Sequence, residues 1–461
     1  MNRRDWLRLG ATGLVAGFGG QSLLRPASAQ TIPQKAKRVV ILFQGGGPSQ
    51  LETFDPKPGL AELRNTELPD SVQQGRRITT MTSGRGALRV ANSLLSFQQY
   101  GQSGMWASEA VPYLGGIADD LCLINSTYAE AVNHDPATNL ALTGNQLQGK
   151  PSIGAWISYA LGVANANLPS FVTMISQSAV QFVQPLSKRL WSSVFLPVTH
   201  QGVALRPGDS PVLYLDDGLG LSQSDSGKLF QAVRGLNELH FKDTGDPDIP
   251  QRNLAYDVAL AMESSMVELA DVSKEPDEVF DLYGPNSRVA GSYAANCLRA
   301  RRLLERDVRC VMLLHRGWDH HYNVTKETRI AGGDVDQPTA ALITDLKRTG
   351  LLDDTLVVWG GEFGRTCYSQ GDITDTDHGR DHHPYCFTTL LAGAGVKPGL
   401  TYGATDDFAY NVVENGVHIH DLHATILYLC GVDHTQLTFR SDGRDQRLTD
   451  ISGEVVRDIL A

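Results

Sequence analysis

The chain has 461 residues, 41% hydrophobic and 20% charged, enough to bury a large core as one big α/β domain with insertions or as two domains. Its formal charge of −11 excludes an electrostatic nucleic-acid binder, which needs an excess of Lys and Arg to neutralise phosphates. Six cysteines (Cys122, Cys297, Cys310, Cys367, Cys386, Cys430) are scattered without CxxC or other metal-type spacing, and nothing requires the one nearby pair, Cys297 and Cys310, to be bonded.

The N-terminus reads as an address. Asn2-Arg3-Arg4-Asp5-Trp6-Leu7 has the form of a twin-arginine export motif, the run from Leu9 to Gly20 that of its apolar segment, and Ala27-Ser28-Ala29 that of a cleavage site. Residues 1–29 are therefore expected to be a signal peptide handed to the twin-arginine translocase. The expected location is periplasmic or extracellular. The apolar run is too short and glycine-rich to leave a stable membrane span.

The remainder, 30–461, reads as one α/β domain with surface insertions near 60–104 and 175–250. Lys37 to Phe43 is a β-branched, apolar strand that ends in Gly45-Gly46-Gly47-Pro48, followed by Glu52 and Asp55. No Lys-Ser/Thr follows the glycines, so this is not a phosphate-binding P-loop. Asp55 on its own also reads as a cap on Pro56. A short helix is expected over Met105 to Ile117 and a strand at Leu121 to Thr127. Asp135 is a candidate N-cap with Pro136 at the first helical position, which puts His134 just before a helix N-terminus. A helix at Ile153 to Leu161 and a strand at Phe171 to Met174 follow.

Apolar spacing then predicts helices over Leu254 to Leu269 and Val289 to Glu305. Val308 to Leu314 is a strand that delivers Asp319, His320 and His321 at its end, and Thr339 to Thr349 is a helix closed by Gly350. The strand Thr355 to Trp359 leads into a loop holding Glu362, Arg365, Asp377, His378, Arg380, Asp381, His382 and His383. Three of the chain's 13 histidines fall within six residues there, interleaved with carboxylates. A solvated loop has no need of that mixture, whereas a divalent metal or a phosphate-like group does. The alternating strands and helices favour a parallel sheet, whose strand ends share one edge. Five polar clusters lie at such ends: Glu52/Asp55, His134, Asp319/His321, Glu362/Arg365 and Asp381/His382/His383.

These motifs also carry a resemblance. Gly317-Trp318-Asp319-His320-His321, Gly361-Glu362-Phe363-Gly364-Arg365-Thr366, Gly379-Arg380-Asp381-His382-His383-Pro384, Gly46-Gly47-Pro48-Ser49 with Phe54-Asp55-Pro56-Lys57-Pro58, and His418-Ile419-His420-Asp421-Leu422-His423 resemble the bacterial domain-of-unknown-function family DUF1501. That family is similar to the sulfatase-like branch of the alkaline phosphatase superfamily. The resemblance implies a three-layer α/β/α sandwich with a mostly parallel central sheet and a metal site at the strand ends. It also implies one or two divalent metal ions that help cleave phosphate or sulfate esters. Four departures stand out. Phe363 occupies a position where related enzymes bind metal through His. His134 stands at the nucleophile position, which excludes a formylglycine mechanism there, and Thr138 replaces a sulfatase arginine. The first strand ends in Gln44 where the superfamily places a metal-binding Asp, so Glu52 or Asp55 would have to substitute.

The expected function is an exported metal-dependent hydrolase of phosphate or sulfate esters, acting on a small-molecule or polysaccharide ester. Asp319, His321, Glu362, Asp381, His382, His383, Glu52 and Asp55 are the candidate ligands, and their mixed N/O character suits Zn, Mn or Fe better than Ca. His134 is the candidate catalytic group, open to roles as a covalent phosphoryl acceptor, a metal ligand or a general acid, and Arg365 and Arg380 are candidates to grip the ester oxygens. His320 and His378 read as supports, and His418, His420 and His423 as capping groups, since i, i+2 and i+5 do not share a helix face. The alternative is a non-catalytic periplasmic binding protein on the same scaffold, which Phe363 and His134 favour and the five clusters oppose.

Overall fold

The computed structural model describes residues 32–84, 86–165, 167–181, 184–207, 223–246, 249–250, 252–254, 256, 265–266 and 268–461. The expected signal peptide and most of the helix expected over Leu254 to Leu269 lie outside them. No helix among the described residues is long and apolar enough to cross a membrane.

The main sheet is built from β1 (Arg38–Gly45), β2 (Cys122–Tyr128), β3 (Phe171–Ile175), β4 (Val203–Leu205), β5 (Cys310–Arg316), β6 (Thr355–Gly360), β7 (Phe387–Ala392), β8 (Leu400–Tyr402) and β9 (Val417–His418). Its order is β8-β2-β7-β6-β1-β5-β3-β4, with β9 also on β2. Every pairing is parallel except those of β7, which runs against both β2 and β6. The parallel sheet expected from the strand–helix alternation is therefore present with one reversed strand, and β1, β2, β5 and β6 end on one edge.

Period-two burial makes three layers. Along β1, Val39, Ile41 and Phe43 enter one core with the helices α1 (His134–Thr143), α2 (Ile153–Leu161) and α5 (Ile419–Leu429). Val40 and Leu42 enter a second core with α3 (Tyr293–Glu305) and α4 (Val324–Arg348). A strand buried on both faces needs an unbroken apolar run, and each such Val or Ile contributes about 1.5–3 kcal/mol.

Several expectations are corrected in detail. α1 starts at His134 with Asn133 as N-cap, not at Pro136 after Asp135; Asp135 instead pairs with Arg189. The stretch expected to be helical from Met105 begins as a strand, Met105–Ser108, paired with Phe97–Tyr100. Only Pro112–Gly116 is helical there. α4 begins at Val324 and runs through the buried Pro338, where the sequence suggested a helix starting only at Thr339. The 60–104 stretch is more than decoration: Leu60, Leu68 and Val90 form a third core with Leu51, Cys367, Tyr368 and Tyr410. All six cysteines are buried thiols, so Cys297 and Cys310 are not joined.

Candidate metal centre

Four segments deliver the site to the common edge. β5 ends at Arg316, and Gly317, at φ 116, turns the chain so that Asp319 follows. α1 begins with His134. Beyond β6 the chain reaches Glu362. A small antiparallel ladder, Gly364–Arg365 with His382–His383, then brings His382 back over the edge.

The centre is one oxygen atom. Asp319 Oδ1 lies 3.1 Å from His134 Nε2, 2.9 Å from His321 Nε2, 3.2 Å from His382 Nε2 and 2.6 Å from Arg365 Nη2. The other Asp319 oxygen accepts a 2.5 Å hydrogen bond from Gln184. Each imidazole is anchored through its far nitrogen. His134 Nδ1 donates to Glu362 at 2.7 Å, His382 Nδ1 to the Val132 carbonyl at 2.9 Å, and His321 Nδ1 to the Gln370 amide oxygen. Those partners are acceptors, so the Nδ1 atoms carry the protons and the three Nε2 atoms present lone pairs.

Three lone pairs and a carboxylate oxygen facing one another repel unless a cation sits among them. His134 Nε2 is buried and makes no hydrogen bond. The four donor atoms lie within 4.8 Å of one another, and their contacts to Asp319 match the ~3.3 Å edge of a tetrahedron with metal–ligand bonds of ~2.0 Å. The anchored Nδ1 atoms are the usual supports of metal-binding histidines. The residues therefore fit a divalent ion, and their three nitrogens and one oxygen suit Zn, Mn or Fe better than Ca.

The cluster favours a positive charge at its centre. Burial would raise the Asp319 pKa, but its neighbours, the Arg365 guanidinium foremost, outweigh it and hold the carboxylate far below its usual range. Burial would lower that of His134, but Asp319 and Glu362 outweigh it and raise it, so a proton and a metal ion compete for its Nε2. His382 is pushed down to about 4, chiefly by burial.

Asp319, His321 and His382 of the expected ligands come together, and His134, expected as the catalytic group, joins them as a fourth. Glu362 stands behind His134 and also accepts from the Gly46 N–H at 2.9 Å. The others are corrected. Glu52 is fully buried and paired with Arg380 at 2.8 Å. Asp55 pairs with Lys57 at 2.9 Å and accepts from Thr405. Asp381 accepts from Thr79 and Thr82, and His383 Nε2 bonds the Tyr410 carbonyl at 2.7 Å. Arg365 and Arg380 are wholly buried and committed to protein oxygens, so neither faces an ester. Gln184 and Gln370 carried no sequence signal, since a lone glutamine at no fixed spacing marks nothing.

The supporting histidines brace the frame. His320 Nε2 bonds the Gly317 carbonyl at 2.8 Å, and His418 caps α5. His420 and His423 bond the carbonyls of Gly144 and Ala141 at 2.9 and 2.8 Å, tying α5 to the helix that begins with His134. Phe363 is buried with its ring stacked on His382, centroids 4.6 Å apart. Beside the cluster lies a cleft of about 840 Å³ lined by Gln181, Gln184, Asp319, His321, Tyr322 and Lys326, among others.

Comparison with known proteins gives a family match over nearly the whole chain: the family described as "Protein of unknown function (DUF1501)" covers residues 36–460. A search of curated proteins finds no match. Among solved structures, a protein of the alkaline phosphatase superfamily from Vibrio parahaemolyticus aligns over 95% of this chain and 78% of its own, at 12% identity and TM-score 0.35. The PsFucS1 sulfatase from Pseudoalteromonas sp. aligns over 92% and 76%, at 11% identity and TM-score 0.35. The lipoteichoic acid synthase LtaP from Listeria monocytogenes aligns over 88% and 74%, at 10% identity and TM-score 0.34.

Two outcomes follow from the geometry. Asp319→Ala and His382→Ala abolish binding of Zn or Mn in equilibrium dialysis, whereas His383→Ala retains it and loses stability; metal lost equally in all three would contradict the cluster. Away from the cluster, burial lowers the pKa of His200 to about 4 and those of His315 and His423 to about 3, from an ordinary 6.5. Their folded pKa values lie below the unfolded one, so this stability is complete above pH 6.5 and falls as pH drops towards 4, by up to about 1.4 kcal/mol per unit and histidine. Urea unfolding across that window reads it, and a flat profile would refute it.

Proposed function

The chain belongs to the DUF1501 family, and we propose that it is an exported, metal-dependent hydrolase of phosphate or sulfate esters. The observation that carries this reading is the convergence of three Nδ1-anchored imidazoles and the Asp319 carboxylate beside an open cleft. His134, Asp319, His321 and His382 would hold the ion. When bound, it would supply Lewis acidity toward an ester oxygen and acidify a water.

The chain's own residues do the rest. Glu362 keeps the His134 proton on Nδ1, and Gln370 and Val132 do the same for His321 and His382, which directs three lone pairs inward. Gln184 holds the outer oxygen of Asp319 and so fixes which oxygen turns inward. With Arg365 and Arg380 buried, Lys326 is the cation among the described residues that line the cleft, next to Glu327, and is placed to attract an anionic ester. His134 serves as a ligand in this reading. One observation favours the alternative of a non-catalytic binding protein: the buried Phe363 ring stacks on His382 and adds no reactive group to the site.

Chelation and dialysis should abolish hydrolysis of phosphate and sulfate monoesters or diesters, with Zn, Mn or Fe restoring it. A protein that retains its metal and leaves every ester intact would establish the binding reading instead. Export is proposed from the leader alone: changing Arg3 and Arg4 to Lys should strand the protein in the cytoplasm, and undiminished periplasmic yield in cell fractionation would rule out the twin-arginine route.

A further inference from the structure

We infer that Arg365 is a cation built into the centre, occupying the position beside the histidine cluster, so that the centre takes a single metal ion. The inference rests on the metal-dependent reading above and specifies its stoichiometry.

The Arg365 guanidinium sits in a cage of oxygens. Nε donates to the Gly47 carbonyl at 3.0 Å, Nη1 to that of Arg380 at 3.3 Å, and Nη2 to those of Gly46 and, at 3.1 Å, Trp318. The fifth oxygen is Asp319 Oδ1, at 2.6 Å. Carbonyls plus a carboxylate are the donor type that a hard cation selects. Here an organic cation fills the set. Asp319 Oδ1 is therefore shared: one side meets three imidazole lone pairs, the other a guanidinium.

The cage is made to hold this group. Its walls come from the turns after β1 and β5 and from the loop between the two strands of the ladder. Gly46 and Gly47, at φ 114 and 82, adopt conformations that turn both carbonyls inward. A Cβ on Gly46 would lie 2.5 Å from the Asp319 nitrogen, and one on Gly47 2.6 Å from the Phe363 ring. The arginine is held from behind as well, since the Gln50 amide accepts from its backbone N–H at 2.9 Å and donates to its carbonyl at 2.8 Å.

A guanidinium does not give up its proton in a protein, so this charge is permanent. Asp319 is its carboxylate partner, without which the wholly buried guanidinium would be an uncompensated charge. A second divalent ion at this position would have to expel a fully buried side chain held by five oxygens. Arg365 is thus a positioning residue: it aims Asp319 Oδ1 at the histidines and supplies the neighbouring positive charge.

The test is metal stoichiometry by elemental analysis after loading with excess Mn or Zn, together with affinity by equilibrium dialysis. The wild type should hold one ion per chain. R365A should bind about 10–100-fold more weakly, as for loss of a ligand's support, and millimolar guanidinium chloride should restore much of that loss. Two ions per wild-type chain would overturn the inference, as would folded R365A with wild-type affinity or no response to guanidinium. If R365A does not fold, R365K decides, with one ion bound more weakly as the expected result and unchanged affinity overturning it. A wild type that binds no metal would instead overturn the proposed function, which keeps the two failures apart.

Discussion

A single carboxylate oxygen carries more of this structure than any other atom. Three imidazoles and a guanidinium converge on Asp319 Oδ1, in a site where desolvation makes every unmatched charge expensive. The surrounding loops are shaped to supply that match. Glycines after β1 admit the approach of Asp319, Gln184 restrains its second oxygen, and each histidine is fastened at its far nitrogen. The arrangement stays together because every group that could relieve the crowding is tied to another element.

The fold makes that restraint possible by its parallel sheet. β1, β5 and β6 end on one edge, so three loops far apart in sequence meet without long excursions. α1 brings the fourth contribution, and its position is set at the opposite end by α5, through the bonds of His420 and His423. The Glu52–Arg380 pair and Asp381 with its two threonines form a polar support around the loop that bears His382. Thr79 and Thr82 reach it from the 60–104 stretch, which is why that stretch has a buried side.

Much of this was legible in the residues. The core strands read correctly because burial on both faces demands continuous β-branched and apolar runs, and the clusters fell at their ends as an α/β sheet requires. What could not be read was which member of a cluster faces inward. Asp381, His382 and His383 are adjacent, yet extended backbone sends successive side chains to opposite faces. His382 therefore meets Asp319 while His383 turns to Tyr410 and Asp381 to the threonines. The same limit applies to Arg365 and Arg380, which look like anion-grasping residues until their burial is seen. Nor does spacing reveal Gln184 and Gln370, whose role depends on contacts across the fold.

The two buried arginines explain why a site so rich in carboxylates leaves few of them available. Glu52 is neutralised by Arg380, and Asp319 shares its charge with Arg365. Glu362 is spent on His134 and the Gly46 N–H. The carboxylate left at the heart of the cluster is therefore one, set among three neutral nitrogen donors. Such a set offers an ion little anionic charge, which weakens the claim of a hard, oxygen-seeking cation and strengthens that of a transition metal. An ion held this way would keep most of its positive charge for whatever anion enters the cleft that Lys326 helps to line.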